Sequence, residues 1–175
     1  MNSKRIRVVV WALVAVWFGG MAAVPVLADG NPTLWKYKIK GDFAAVYSHM
    51  KSGLEAKQFI LSGEEDLAAG LENNKHMFEG KDYNTIGFKD VRAVHFCSIM
   101  FNQEVFNIDM DWSVLCPFKV VAYTMKKDPQ TVNIVMVRPS YVLSKDKNKK
   151  AKEIGKKIDE RVFGAITAGV KMEIP

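Results

Sequence analysis

A chain of 175 residues, 49% hydrophobic and 25% charged, has the composition of a globular protein with room for a single core. Its formal charge of +6 overstates the folded part: three of the 25 basic residues and none of the 19 acidic ones fall in the first 28 positions, leaving +3 for the rest. That balance argues against a nucleic-acid partner, and the sequence holds no Cys-x-x-Cys-His, His-Glu-x-x-His or Gly-x-Ser-x-Gly motif and no Gly-rich phosphate loop.

The amino terminus reads as a secretory signal. Lys4, Arg5 and Arg7 precede an unbroken apolar run from Val8 to Phe18, Gly19 and Gly20 interrupt it, and Val26 and Ala28 supply small residues at −3 and −1 of a cleavage point. Cleavage after Ala28 would leave residues 29–175 as one periplasmic or secreted domain. The alternative is an uncleaved anchor, which would confine membrane contact to this segment.

Leu34 to Lys40 alternates, with Trp35, Tyr37 and Ile39 on one face and Lys36, Lys38 and Lys40 on the other, the pattern of a half-buried strand. Asp42 is placed to cap a helix whose stripe is Phe43, Val46, Tyr47, Met50 and Leu54. Phe59 to Leu61 reads as a second strand, followed by a capping box at Ser62 to Glu65 that opens a short helix with Leu67 and Leu71. Residues 73–89 give no clear pattern. A third strand runs from Asp90 to Cys97, with Arg92, Val94 and Phe96 facing one way and Val91, Ala93, His95 and Cys97 the other. Ser98 caps a helix over about 99–109.

Phe118 to Met125 and Thr131 to Arg138 form a hairpin, its turn expected at Lys126 to Gln130 around Asp128-Pro129. An amphipathic helix follows from Lys145 to about Val170, packing through Ala151, Ile154, Ile158, Val162, Ala165, Ile166 and Gly169. The lysines near its start read as a solvated face, with Glu153–Lys157 and Lys156–Glu160 pairs along it; contact with anionic lipid headgroups is the other reading. Alternating strands with one wet face and a tight hairpin predict an α+β fold, an antiparallel sheet with helices packed on one face.

Cys97 and Cys116 are the two cysteines, 19 positions apart and flanking one helix. Three states are open to them: a structural disulfide in an oxidising compartment, two buried thiols, or a redox or metal-binding pair. In the metal version His95 and Cys97 share a strand face, Met100 lies a turn further on and Cys116 completes a soft donor set for copper or zinc. Asp109 and Asp111 read as local capping or solvated carboxylates rather than an acid–base pair. Arg138, at a strand end before Pro139, is a candidate anion binder, with a salt bridge as its bland role.

The segments Val94-His-Phe-Cys97, Leu115-Cys-Pro117, Phe118-Lys-Val-Val-Ala-Tyr123 and Val137-Arg-Pro139, in this order and spacing, resemble the domain of unknown function 302 family over roughly residues 35–170. The sequence departs from the family pattern where Leu-Pro-Cys stands as Leu115-Cys116-Pro117, and where the turn after Cys97 has Ser98 and Ile99 with no proline. The resemblance implies a fold similar to the TATA-box-binding protein half-domain, in the order β-α-β4-α, and carries no chemistry with it. The expected function is therefore a non-enzymatic exported domain binding a small molecule or a periplasmic protein, with soft-metal or thiol-redox chemistry at Cys97, Cys116 and His95 as the alternative.

Overall fold

The computed structural model describes residues 31–78, 81 and 83–172; the leader and its cleavage point lie outside the described residues. Five strands form one antiparallel sheet: β1 (Leu34–Lys40), β2 (Ile60–Asp66), β3 (Phe88–Cys97), β4 (Phe118–Met125) and β5 (Asp128–Val137). Their spatial order is β1-β5-β4-β3-β2, so the first two strands of the chain form the two edges. Among the described residues five α-helices accompany them: α1 (Phe43–Ala56), α2 (Leu67–Asn73), α3 (Ile99–Phe106), α4 (Pro139–Leu143) and α5 (Lys149–Val170). The fold is α+β with helices on one side of the sheet, as the alternating strands predict.

The register explains why the core forms where it does. Trp35, Tyr37 and Ile39 stand opposite Met136, Ile134 and Val132, so the apolar face of β1 continues that of β5. Val94 and Phe96 stand opposite Val120 and Phe118 and carry the same face across β3 and β4. Met50 and Leu54 of α1 and Ile158, Val162 and Ile166 of α5 close over it, and all five are fully buried. Each such side chain contributes about 1.5–3 kcal/mol by leaving water. Trp35 stacks on Phe163 at 4.4 Å between ring centres, tying the edge strand to the last helix.

The two long helices cross at a pair of glycines. A Cβ on Gly169 would lie 2.4 Å from the His49 carbonyl oxygen, and one on Gly53 would lie 2.4 Å from that of Ala165. No side chain fits there, so the helix backbones meet directly. Asp42 caps α1 as expected, accepting from the Ala45 amide at 2.9 Å.

Five local expectations are corrected. Ser62 to Glu65 is not a capping box: it lies in β2, and Asp66 caps α2 by accepting from the Ala69 amide. Tertiary pairing overrides the local signal, because Glu64, Glu65 and Asp66 find Lys51, Lys119 and Arg92 on neighbouring elements. The hairpin turn is Lys126-Lys127 alone, with Met125 facing Asp128. Pro129 is tolerated inside β5 because the β1 ladder ends at Lys40 opposite Thr131, so its missing N–H has no strand to bond. The helix expected over 99–109 stops at Phe106, and a 3-10 turn, Met110–Leu115, follows with Asp109 as its cap. The helix expected from Lys145 begins at Lys149, after its cap Asn148, and a separate short helix not expected from the sequence, α4, begins at Pro139, a favoured first helical position. The pairs Glu153–Lys157 and Lys156–Glu160 do not close among the described residues.

Candidate functional site

The face of the sheet opposite the helices is lined by alternate residues of every strand. Across its middle run Lys36, Val135, Val121, Ala93 and Glu65, each register partner beside the next. The neighbouring row holds Lys38, Asn133, Tyr123 and Val91. Ala93 is fully buried among them, while Val91, Val121, Tyr123, Asn133 and Val135 are half-buried. The centre is thus apolar and aromatic, one edge is basic and the other carries Glu65, His95 and Lys119.

That second edge is an ionic cluster. Glu65 receives Lys119 Nζ at 2.8 Å and His95 Nε2 lies 3.1 Å away, screened from solvent but poorly aligned for a directed hydrogen bond. The Lys119 hydrogen bond holds the Glu65 carboxyl below its ordinary value. On the helix side of the same edge, the Tyr47 hydroxyl lies 3.0 Å from Glu64 Oε2 and 3.1 Å from the Ala93 carbonyl oxygen, two acceptors for one proton. Burial, then the bond to Glu64, pushes the Tyr47 hydroxyl upward, while Lys51 at 2.7 Å holds Glu64 low. Arg92 reaches Asp66 at 3.2 Å and lies over the Tyr47 ring.

Cys97 and Cys116 are joined as a disulfide with Cα atoms 5.8 Å apart, linking the end of β3 to the residue before the cis peptide bond that precedes Pro117. The sulfur atoms stand at bonding distance, the arrangement that the first of the three states requires. His95 and Cys97 do share a strand face, while Met100 is 62% exposed on α3. Bonded to each other, neither sulfur is a thiolate, and among the described residues no three His, Cys, Asp or Glu side chains converge as ligands.

Arg138 turns inward. Its Nε donates to Asp159 Oδ2 at 3.1 Å, and its guanidinium lies over the Phe163 ring. Asp159, its side chain 6% exposed within α5, also accepts from the Ser140 amide at 3.0 Å and the Ser140 hydroxyl at 2.5 Å. It therefore caps α4 from outside, a helix whose own N-cap residue makes no side-chain bond. Arg138 is committed to this ion pair. Asp109 accepts from the Asp111 amide and caps its turn, in keeping with the local role expected of it.

Two concavities stand out, the first of them reaching Val91 of the outward row. One, of about 300 Å3, has charged walls from Asp66, Glu72, Lys89, Asp90, Arg92 and Lys126. The other, of about 460 Å3, is a groove between α3 and α5 with Met100 and Phe101 beside Glu104, Lys157, Glu160 and Arg161. Neither is an enclosed apolar pocket between sheet and helices, the feature that would favour a small apolar ligand. Sequence reasoning missed Asp159 and the outward rows of β4 and β5. The signals were there: an acid inside the apolar stripe of α5, and outward positions at Val121, Tyr123 and Val135 that are not polar.

A family model described as "Domain of unknown function DUF302" matches residues 35–168. The crystal structure of an uncharacterized conserved DUF302 protein from Bacillus stearothermophilus is similar in fold, with a TM-score of 0.66 at 15% identity, covering 79% of this chain and 99% of that one. No curated protein matches this chain.

Proposed function

This chain belongs to the DUF302 family, and on that premise we propose that residues 29–175 act outside the cytoplasm as a non-enzymatic binding domain whose open sheet face receives a partner protein. One observation carries the reading: Val121, Val135 and Tyr123, half-exposed on the outward rows, make an apolar centre between a lysine edge and a Glu65–His95–Lys119 edge. An apolar middle with a charged rim is the anatomy of a protein contact surface. An open, shallow face favours a macromolecular partner over a small ligand, which needs concavity. The basic-then-apolar leader and the disulfide both suit an oxidising compartment.

The test is site-specific photo-crosslinking in cells. A photoreactive residue at Tyr123 or Asn133 is expected to give a discrete adduct that Val121→Glu with Val135→Glu abolishes, while the same group at Glu153 gives none. Recovery of the mature product beginning at Asp29 in the extracytoplasmic fraction is expected alongside. Adducts absent from the sheet positions, or identical at all three, would refute the surface.

A further inference from the structure

The charge of the domain is concentrated in one short stretch. Between 145 and 157 stand seven lysines and two acids, a net +5, so the remainder of residues 29–175 carries −2. Within the described residues none of these lysines closes an ion pair; Lys145 instead lies over the Tyr141 ring at 4.7 Å. Lys149, Lys150 and Lys152 occupy the first turn of α5, which holds no acidic residue. That end of a helix is the positive end of its dipole, so the lysines repel both one another and the helix. An anion would relieve both repulsions.

Exposed apolar side chains stand beside this patch. The Trp112 indole donates to Asp146 Oδ2 at 2.5 Å, which holds the Met110–Leu115 turn against the start of the lysine run. With Trp112 engaged inward, Met110 and Val114 on either side of it are 63% and 78% exposed. Met100, 62% exposed on α3, shares a groove with Lys157.

We propose that the lysine-rich start of α5, flanked by Met110, Val114 and Met100, is a docking surface for an anionic phospholipid bilayer. Charge complementarity selects the anionic surface, and the neighbouring apolar side chains select a bilayer over a soluble polyanion, since they gain by entering the boundary between headgroups and acyl chains. This surface lies on the helix side of the molecule and is independent of the sheet face proposed to bind protein.

The test is hydrogen exchange on the full chain with phosphatidylcholine vesicles, with and without roughly one-third phosphatidylglycerol. Because the readout is local, binding through the apolar leader does not register. Protection of 108–116 and 145–157 is expected with the anionic vesicles only. The triple change Lys149→Gln, Lys150→Gln and Lys152→Gln is expected to weaken vesicle binding about 100-fold, at roughly 1 kcal/mol per lysine. The same variant is expected to melt no lower than the parent, and about 2–4 °C higher, because it removes repulsion at the helix start. Met110→Gln with Val114→Gln is expected to weaken vesicle binding several-fold and leave binding of inorganic polyphosphate unchanged. Protection that is absent, or equal on both vesicles, would overturn the proposal. So would apolar variants that bind anionic vesicles as well as the parent, which would mark the patch as a soluble-polyanion site.

Discussion

Asp159 sits in the interior of α5 on its packing stripe, between Ile158 and Val162, where a carboxylate has no local reason to be. It is held there by three donors, two from Ser140 and one from Arg138. Removing one partner of a buried pair leaves the other charge without compensation, which costs more than the pair itself contributes. Arg138→Ala should therefore lower stability by about 3 kcal/mol, read from the urea midpoint at unchanged slope, because it strands the buried Asp159 carboxylate, while Asp159→Asn should cost less because the guanidinium it leaves is partly solvated. The exposed carboxylates behave differently. Glu64, Glu65 and Glu72 are each held below the ordinary value of 4.5 by a lysine hydrogen bond, from Lys51, Lys119 and Lys75. Groups whose folded values are lowered contribute stability above their unfolded value and lose it as pH falls through the folded one. Thermal melts should thus be flat from neutrality to about pH 5 and fall below it, with a shallower fall in Glu64→Gln. Tyr47 has the opposite sign: raised in the folded state, its contribution is full below pH 10 and declines above it.

At the level of elements, two features make strong demands on the chain. The Gly53–Gly169 crossing leaves no room for a methyl group, and the atoms it would meet are backbone. Gly169→Ala should cost about 1–3 kcal/mol despite alanine's better helix propensity, whereas Gly164→Ala, with open space at its Cβ, should be neutral or stabilising. The disulfide closes a loop with a sequence separation of 19 that includes all of α3. Loop-closure entropy predicts that Cys97→Ala with Cys116→Ala loses about 3 kcal/mol. Thiol counting by mass spectrometry under denaturing, non-reducing conditions should find no free cysteine. The major elements were legible because their periodicity is strong: the stripe of α1, the alternation of β1 and β3, the packing side of α5. What escaped was decided at a distance. Ser62 to Glu65 looks like a helix start until Lys51, Lys119 and Arg92 are brought beside it, and α4 has no cap of its own, since its capping carboxylate lies some twenty residues downstream.

Taken as a whole, the molecule buries one face of its sheet under helices and leaves the other bare, and which side chains fall on which face could be read from alternation alone. The grouping of candidate residues could not. Arg138 is visible in sequence as a cation at a strand end, yet its commitment to Asp159 depends on how α5 returns across the sheet. His95 and Cys97 do share a face, but the union of Cys97 with Cys116 depends on the path of α3 and the turn after it. Chain order and spatial order also differ in a way that matters for assembly. β1 borders only β5, and α1 meets α5 at the glycine crossing. The first segment made thus finds its partners among the last. Contacts of such long sequence separation must wait for most of the backbone to be available, which slows folding. A polypeptide emerging amino-end first will keep its opening strand unpaired until β5 has been delivered and its first helix without its glycine partner until residue 169, and any fragment lacking that final helix leaves the crossing face of α1 bare.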